Sequence, residues 1–325
     1  MSQYHVKIYQ NSKELPQLDC HNFFHSTELF CIMEQVSGNN PYMIVAFNSN
    51  EQPVAHLLAI TFRRGSWLPP YLYTQGRIYG EGEYNDGINR EVVFELMIEA
   101  ATRKLRRHFC FYIEVSDMKQ KMFGYKSFRR HGYFPIQWQE IHNSLHSKLP
   151  EERITPKMLE KINHIYENGV VTREVQSQQE IDDFYKLLYN FYRFKLRRII
   201  PPKRQFEELN NSKKANIFVT LYKGKIIGGC ACVFSEGNAY LWYLASRRKR
   251  YPTLHPNMMT VWNAIKYAHG NNYQHIFFMD VGLPWKKNPF REFILSFGGK
   301  PVGMYRWFRI NNKFINRILT WIHKE

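Results

Sequence analysis

Two stretches of this sequence repeat the same order of segments, and this internal duplication limits the folds that the chain can adopt. The first copy covers about residues 41–135, and the second covers about residues 215–304. Each copy opens with two apolar stretches around a turn. An amphipathic helix follows, near Arg90 in the first copy and near Asn257 in the second, and then an aromatic-rich strand and a Phe-rich stretch with glycine. The repeat predicts two similar domains, and clefts between domains are common places for small-molecule sites.

The length of 325 residues allows two domains, each with a hydrophobic core of its own. Pro150 and the polar run after it mark the seam, so we predict an N-terminal domain of residues 1–150 and a C-terminal domain of residues 151–325. In each half, the order strand, strand, helix, strand predicts an α/β fold of the α+β type, with a mixed and mostly antiparallel sheet. Neither half has a glycine-rich phosphate fingerprint after its first strand, which excludes a Rossmann or P-loop fold.

Local patterns predict several helices and one long loop. Residues 90–107 carry apolar side chains at helical spacing with Arg and Lys in the last turn, and we also predict helices at about residues 156–167 and 179–195. Thr27 is the predicted N-cap of the first helix. The prolines within residues 67–73 and the glycines after them predict an extended aromatic loop that continues as a flexible loop.

The net charge of +17 is the one unusual feature of the composition. RNA, an anionic membrane surface or a phosphorylated small molecule could account for it as a partner, and a solvated surface could account for it without one. The charge is spread along the chain without a zinc finger or an RNA-recognition signature, so we expect no DNA partner. The positive clusters are residues 103–107, 129–130, 193–198 and 247–250.

The remaining composition favours a folded cytoplasmic protein. Hydrophobic residues make up 44% of the chain, but no apolar run reaches the roughly 18–20 residues that a membrane-spanning helix needs. Residues 1–20 are polar and lack the pattern of a signal peptide. The five cysteines are scattered and show no metal-ligand spacing with histidine. We therefore expect reduced thiols and no metal site.

The second half contains a run of motifs that resembles one family. The run comprises Gly228-Gly229 in a hairpin, Tyr240-Leu-Trp-Tyr-Leu-Ala-Ser, His255-Pro-Asn-Met-Met-Thr-Val-Trp-Asn-Ala, Phe277-Phe-Met-Asp-Val-Gly, and the stretch from Phe290 to Gly299. These motifs resemble the GNAT superfamily and, within it, the Fem-type aminoacyltransferases that form peptidoglycan bridges. The first half resembles the N-terminal domain of the same tandem proteins, in Phe23-Phe-His-Ser-Thr and Gly132-Tyr-Phe-Pro. The resemblance covers nearly the whole chain.

The resemblance implies two tandem GNAT-like domains that transfer an acyl or aminoacyl group from an activated donor to an amine. It implies no tightly bound cofactor, and the donor is either an aminoacyl-tRNA or an acyl-CoA. The N-terminal domain would be the acceptor side and the C-terminal domain the donor and catalytic side. The acceptor could be a lipid-linked cell-envelope precursor, met at the inner membrane face through a peripheral contact with anionic lipids. The alternatives are an acyl-CoA-dependent N-acyltransferase of a small molecule and a non-catalytic binding protein on the same fold.

The resemblance also indicates where the donor would bind. Backbone N–H groups of a bulged strand can stabilise the oxyanion of an acyl transfer, and the strand implied here ends with Leu244, Ala245 and Ser246. The helix N-terminus at Pro256 and Asn257 suits donor phosphates. A simple buried strand and a basic surface loop are the alternative interpretations. The basic residues that would assist the helix are Arg247, Arg248 and Lys249, followed by Arg250.

Asp280, Tyr243 and Tyr305 are the predicted catalytic residues. Asp280 follows an aromatic strand, where a carboxylate could act as general base on the acceptor ammonium, although an Asp two residues before a glycine is also common in turns. Tyr243 and Tyr305 could protonate the leaving group. The residues that the resemblance places at the acceptor are Tyr71, Arg77 and Tyr79.

The chain departs from the family pattern in two places. The usual acetyl-CoA loop of single-domain GNAT enzymes is absent between Ser246 and Met259, as it tends to be in tandem Fem-like proteins. Bridge-forming relatives often carry a Phe-Lys pair before a final Phe-Gly-Gly, and here Ile294 stands in place of that lysine. The first departure weakens the case for CoA, and the second keeps the non-catalytic alternative open.

Overall fold

The computed structural model describes residues 4–66, 71–107, 110–192, 200–279 and 281–323, without the side chains of Arg64, Ser66 and Tyr71. The strands in this part are β1 (Tyr4–Tyr9), β2 (Asn39–Asn48), β3 (Pro53–Ser66), β4 (Tyr71–Tyr79), β5 (Glu83–Tyr84), β6 (Cys110–Ser116), β7 (Phe134–Ser144), β8 (Val170–Glu174), β9 (Ala215–Tyr222), β10 (Lys225–Ser235), β11 (Asn238–Ser246), β12 (His275–Phe278) and β13 (Lys300–Ile310).

The helices of the described part are α1 (Thr27–Glu34), α2 (Arg90–Arg107), α3 (Tyr125–Arg130), α4 (Pro150–Arg153), α5 (Pro156–Glu167), α6 (Gln178–Tyr192), α7 (Lys203–Asn211), α8 (Pro256–Gly270), α9 (Pro289–Leu295) and α10 (Lys313–Ile322). Two predicted helices, α2 and α5, have the bounds that their sequence patterns indicate. None of these ten helices combines the length and the apolar character that a membrane crossing requires.

The contacts divide the chain into two compact units. The first unit contains residues 1–138 and 303–325, and the second contains residues 139–302. This division differs from the predicted domain boundary, because residues 139–150 join the second unit and the C-terminal residues join the first. Strand pairing explains the difference: the last residues of β7 pair with β12, and the last residues of β13 pair with β6.

Each unit contains six main strands in an equivalent order. In the first unit the order is β1-β2-β3-β4-β6-β13, with the short β5 beside β3. In the second unit the order is β8-β9-β10-β11-β12-β7. The pairs β4–β6 and β11–β12 are parallel, each joined through one long helix, α2 or α8. The repeat is therefore confirmed in topology, and each unit takes its last strand from the other half of the sequence.

Two local predictions in the first unit are wrong. Residues 71–79, predicted to lie in a loop, form β4 between β3 and β6. The prolines precede this strand, and Gly76 within it fits because a Cβ there would lie only 3.0 Å from Leu105 of α2. The N-cap of α1 is Ser26 rather than Thr27, since the Ser26 hydroxyl accepts the N–H of Leu29 at 3.0 Å.

The core of the second unit lies between the sheet and the helices α5 and α8. Large apolar side chains from strands and helices meet there, among them Phe218 of β9, Trp262 of α8 and Ile165 of α5. The two strand cysteines, Cys230 and Cys232, are buried in this core with their sulfur atoms 4.0 Å apart, and both are free. Burial and the neighbouring Cys232 thiol raise the pKa of Cys230, which agrees with a structural role.

Candidate functional site

Strand β11, which was predicted to present the oxyanion donors, contains a bulge. Its pairing with β10 passes from Tyr243 opposite Ala231 directly to Leu241 opposite Cys232, so Trp242 has no counterpart on β10. A bulge of this kind bends a strand and interrupts its ladder. The interruption therefore lies within the residues that the sequence singled out.

On its other side, β11 separates early from its parallel neighbour. The ladder with β12 covers only the first part of β11 and ends where Leu241 lies opposite Phe278. The remaining residues of β11, from Trp242 to Ser246, continue alone on this side within the described part of the chain. The two strands thus diverge just where the bulge occurs.

The backbone groups of β11 alternate in direction, and this shows which of them face the gap that opens between β11 and β12. The N–H of Arg247 donates to the carbonyl of Ile227 on β10 at 2.8 Å. Because the backbone groups of successive residues point to opposite edges of a strand, those of Ala245 also face β10, and those of Leu244 and Ser246 face away from it. The N–H groups of Leu244 and Ser246 therefore have the direction that an oxyanion site needs.

The hydroxyl of Tyr192 supports the same assignment. It donates to the carbonyl of Leu244 at 2.9 Å, from the end of α6, and Tyr192 is buried. The Tyr192 side chain can reach the Leu244 carbonyl because this carbonyl points away from β10. The contact also holds the end of β11 in place, so the strand is fixed in its divergent position.

Two glycines of β10 allow neighbouring helices to lie directly against the sheet beside this strand. A Cβ on Gly228 would lie 2.5 Å from the Thr260 hydroxyl and 2.9 Å from the Pro256 carbonyl oxygen. A Cβ on Gly229 would lie 2.6 Å from the ring of Phe184 in α6. Both glycines are therefore required by close packing, and Gly228, which lies opposite Ser246, places the start of α8 next to the end of β11.

The N-terminus of α8 has no side-chain cap. Its N-cap residue, His255, adopts a left-handed conformation with φ of +38°. The N–H groups of Met258 and Met259 donate to the His255 carbonyl at 2.8 and 3.2 Å, whereas the Asn257 N–H has no acceptor among the described residues. Burial lowers the pKa of His255 and the charge of Lys161 lowers it further, so the ring is neutral near pH 7. An unpaired helix N–H attracts an anion.

Four consecutive cations precede this helix, and we call them the basic turn: Arg247, Arg248, Lys249 and Arg250. Arg247 is half-buried and the other three are exposed. Within the part of the chain that the structure describes, none of the four forms an ion pair. The N–H groups of Arg250 and Tyr251 both donate to the Arg247 carbonyl, at 2.9 and 3.1 Å, which closes the turn. Because the helix dipole adds further positive potential, this region suits a phosphate group.

The predicted catalytic residues are only partly described. Asp280 lies outside the described residues, so its role stays a prediction. Tyr243 is buried, and its ring meets the ring of Phe206 of α7 edge-on with centroids 5.2 Å apart. Tyr243 belongs to the second unit and Tyr305 to the first. Tyr305 is also buried, beneath the ammonium of Lys121 at 4.6 Å from its ring centre.

A buried charge cluster occupies the strands of the first unit. One Glu114 oxygen lies 3.3 Å from a guanidinium nitrogen of Arg306 and 3.6 Å from one of Arg77, and its other oxygen accepts the Gln75 amide at 3.2 Å. Asp117 lies 4.0 Å from Arg306. Buried ions need partners because their desolvation is costly, and here two cations share two carboxylates. The cluster comprises Gln75, Arg77, Glu114, Asp117 and Arg306.

The predicted acceptor residues belong to this part of the first unit. Arg77 is a member of the buried charge cluster, and its guanidinium lies over the ring of Tyr79 at 4.4 Å. The side chain of Tyr71 is outside the described set. Glu114 and Arg306 were not among the residues predicted from the sequence. The one available signal was a carboxylate inside the aromatic strand β6, where an unpaired charge would not be tolerated.

Comparison with known families identifies the domain in which β11 and α8 lie. Residues 159–287 match the family described as an acetyltransferase (GNAT) domain. This chain contains a GNAT acyltransferase domain. The matched residues include the bulged strand, the basic turn and α8. Among curated protein sequences, none matches this chain.

Solved structures extend the GNAT likeness to the whole chain. FemX is similar with a TM-score of 0.63 and 11% identity, covering 95% of this chain and 96% of FemX. A tandem GNAT protein from the clavulanic acid biosynthesis pathway has a TM-score of 0.60 and 11% identity, covering 95% of this chain and 99% of that one. L-PGS from Bacillus licheniformis has a TM-score of 0.58 and 11% identity, covering 91% of each. The predicted tandem GNAT fold of the Fem type is confirmed.

The burial of Ile294 in α9 explains why this position carries no lysine. Ile294 is 1% exposed and belongs to the core of the second unit, so its position suits an apolar side chain. Arg291 is also buried, and it donates to the carbonyls of Leu283 and Lys286 at 2.8 and 2.9 Å. Its guanidinium therefore holds the loop between β12 and α9 of the GNAT domain together.

One group of side chains in the described part has the atom types of a metal site. Cys20, His56 and Glu83, in the first unit, offer ligand atoms that lie within 4.8 Å of one another. His56 is 3.2 Å from a Glu83 oxygen and 3.7 Å from the Cys20 sulfur, while the other Glu83 oxygen accepts the N–H groups of His21 and Asn22. Hydrogen bonds and an ion pair account for the arrangement.

This ion pair predicts a pH dependence of stability. Burial acts to lower the pKa of His56, but its hydrogen bonds with Cys20 and Glu83 outweigh that effect and raise the pKa to about 9. The stabilising contribution is complete below the unfolded value of about 6.5 and is lost as the pH rises through about 9. Urea unfolding at pH 6 and pH 9.5 should show a loss of about 3 kcal/mol that the His56→Gln variant lacks. Equal losses in both proteins would contradict the assignment.

Proposed function

We propose that this chain transfers an acyl or aminoacyl group from an activated, phosphate-bearing donor to an amine acceptor. The observation that carries the proposal is the end of β11, where N–H groups turn away from β10 beyond the point at which β12 stops pairing. The basic turn and the uncapped start of α8 lie next in the chain. The GNAT match over the same residues supports the assignment.

The reaction needs no covalent enzyme intermediate. The amine nitrogen attacks the donor carbonyl carbon, so a C–N bond forms while the C–O bond of an ester or the C–S bond of a thioester breaks. The N–H groups of Leu244 and Ser246 donate to the oxyanion that develops on the carbonyl oxygen. Asp280 is the proposed base that takes the amine proton, and Tyr243 or Tyr305 returns a proton to the leaving oxygen or sulfur. Holding the two reactants together supplies much of the acceleration.

The basic turn favours a donor with several phosphates. Both an aminoacyl-tRNA and an acyl-CoA meet this requirement, and each would leave after the transfer, so no cofactor need stay bound. The residues assigned to the donor are Arg247, Arg248, Lys249, Pro256 and Asn257, with Leu244, Ala245 and Ser246 of β11 beside the acyl group. Of these three, Ala245 directs its backbone groups to β10, so the N–H donors come from Leu244 and Ser246 on either side of it.

The first unit is the proposed acceptor side. Tyr71, Arg77 and Tyr79 on β4 would contact the acceptor, with Arg77 held by Glu114. A lipid-linked cell-envelope precursor at the cytoplasmic membrane face is the preferred acceptor, because the sequence motifs resemble those of the Fem-type aminoacyltransferases and the fold is similar to that of FemX. The tandem GNAT protein of clavulanic acid biosynthesis has the same fold and supports a small-molecule acceptor as the second candidate.

Donor binding by a charge-reversal variant tests the proposal. In Arg248→Glu/Arg250→Glu we expect the affinity for the true donor to fall at least tenfold, because two cations can no longer bind its phosphates. If the donor is tRNA, its salt slope should also fall by about 0.7–0.9 for each phosphate that is no longer neutralised. The matched control is Lys148→Glu/Lys213→Glu, which makes the same charge change at exposed positions outside the basic turn. Lys148 follows β7, and Lys213 precedes β9.

The measurement is filter binding with tRNA and calorimetry with a panel of CoA thioesters. Loss of binding for one donor class in the first variant, and not in the control, would identify that class. If the unmodified protein binds neither class at low salt, the transfer function is wrong and the non-catalytic alternative is favoured.

A further inference from the structure

The last helix of the first unit, α10, presents an apolar face to solvent. Its exposed apolar residues recur one, four, seven and eight positions after the first, so they form one stripe. Only Asn316 of this helix is buried, and its side chain anchors the helix by accepting the Ile310 N–H at 2.8 Å and donating to the Gly132 carbonyl at 2.9 Å. The stripe comprises Phe314 (73% exposed), Ile315 (44%), Ile318 (41%), Trp321 (72%) and Ile322 (58%).

A cationic cavity of about 450 Å³ lies beside this stripe, within the first unit. Among the described residues that line it are four cations and no acidic residue. Trp321 contributes to both the cavity and the stripe, so the two features form one continuous surface. The lining includes Arg129, Arg309, Lys313, Arg317, Thr320 and Trp321.

Two polar atoms of the cavity lining are buried without a partner. Arg309 donates through its Nε to the His131 carbonyl at 2.9 Å, but its buried Nη1 has no acceptor among the described residues. The buried hydroxyl of Thr320 likewise lacks a partner there. Burial lowers the pKa of Arg309, the phenol of Tyr133 raises it, and the charge of Arg106 lowers it, consistent with a cation that has no carboxylate nearby. The electrostatic character of the lining is therefore positive, with four cations and no acidic residue among the described residues that form it, and this favours an anionic group.

The combination of an apolar stripe with a cationic cavity favours a membrane over the other possible partners. A nucleic acid would satisfy the cations but would leave the stripe of Phe, Ile and Trp uncovered. A second copy of the chain would cover the stripe but would bring two sets of four cations together. An anionic bilayer covers both, since amphipathic helices with Lys or Arg beside Trp and Phe bury their apolar face at the boundary between head groups and acyl chains.

We propose that α10 docks this protein on an anionic phospholipid bilayer, with the apolar stripe in the interface and a lipid phosphate in the cationic cavity. The docking surface belongs entirely to residues of the first unit and does not include the basic turn or β11. It stands whether or not the proposed transfer reaction occurs, and it adds named residues to the expected membrane contact.

Co-sedimentation with vesicles tests this proposal. The full chain should bind vesicles of mixed phosphatidylglycerol and phosphatidylcholine, and bind pure phosphatidylcholine at least tenfold more weakly, because anionic head groups attract the cations. Phe314→Ser/Trp321→Ser, which removes the most exposed part of the stripe, should lower binding to the anionic vesicles at least tenfold. Lys313→Glu/Arg317→Glu should do the same, and its remaining binding should no longer depend on phosphatidylglycerol.

Two control variants test whether the loss of vesicle binding is specific to α10. Trp285→Ser removes a tryptophan that is 66% exposed in the second unit, and Lys148→Glu/Lys213→Glu makes the same charge change as the α10 variant. Both should bind anionic vesicles like the unmodified chain, with unchanged circular dichroism in every variant. Arg309→Gln tests the cavity, and it should lower binding to the anionic vesicles while leaving the weaker binding to pure phosphatidylcholine, which the stripe provides, unchanged.

Several results would overturn the proposal. Absence of vesicle binding would do so, as would equal losses in the control variants. A dimer that forms in sedimentation equilibrium and disappears in Phe314→Ser/Trp321→Ser, without vesicle binding, would show that the stripe serves self-association instead. Because the donor assays use no lipid, failure here and failure of the proposed transfer function would be seen separately.

Discussion

Replacing Glu114 with glutamine is expected to lower the free energy of unfolding of the first unit by about 3 kcal/mol, because it leaves buried cations without their shared carboxylate. Glu114 accepts ionic contacts from Arg306 and Arg77 at 3.3 and 3.6 Å, and both Glu114 and Arg306 are buried. Glutamine keeps the shape and the bond with Gln75 but removes the charge. Urea unfolding at pH 7 measures the loss directly.

The control for this substitution is Glu99→Gln, the same chemical change in the same unit. Glu99 pairs with Arg103 along α2, with side chains that are 43% and 64% exposed. Exposed pairs of this kind contribute about 0.5 kcal/mol or less. A loss of similar size in the two variants would contradict the importance of burial. A double change, Glu114→Gln with Arg306→Met, should cost less than the sum of the two single changes, because both remove the same contact between Glu114 and Arg306.

The second large effect is expected for Gly228→Ala in the GNAT domain. The new Cβ would lie 2.5 Å from the Thr260 hydroxyl, and that hydroxyl cannot move aside easily because it also bonds the Pro256 carbonyl and the Thr220 hydroxyl, each at 2.7 Å. We expect α8 to shift away from β10, with a loss of about 1–3 kcal/mol in stability. Since the first turn of α8 is the proposed phosphate site, donor affinity should fall as well.

Gly270→Ala is the matched control on the same helix. A Cβ at Gly270 would meet no atom within 4 Å, and alanine suits a helix better than glycine. Its stability should be equal to or slightly above that of the unmodified chain, and its donor affinity should be unchanged. Thermal unfolding and the donor assays compare the two variants. If Gly228→Ala behaves like Gly270→Ala, the close packing of α8 on β10 does not matter for the site.

Several elements of the fold could be predicted because their signals are local. The helical spacing within residues 90–107 and the proline at the start of residues 156–167 are enough to define α2 and α5. Strand β4 could not be predicted in this way, since its glycine and the prolines before it favour a loop. Only the close approach of Gly76 to Leu105 shows why a glycine lies in the middle of that strand.

The same distinction between local signals and long-range contacts applies to the candidate site. The motif located β11 and the start of α8, and the observed bulge at Trp242 lies within the motif. The motif did not show that Leu244 and Ser246 face the opening while Ala245 faces β10, because that depends on the register with a neighbouring strand. It also gave no indication of the pair formed by Glu114 and Arg306, which are 192 positions apart in the chain.

By itself, the sequence determined the repeated order of elements, the family resemblance and the position of the basic turn, since each is carried by residues close together in the chain. Tertiary structure alone decided that each unit takes its last strand from the other half, and which charges are buried together. It also decided that α10 keeps its apolar face uncovered. These features depend on interactions between distant segments, whose energies are set by pairing and burial and leave no local pattern in the chain.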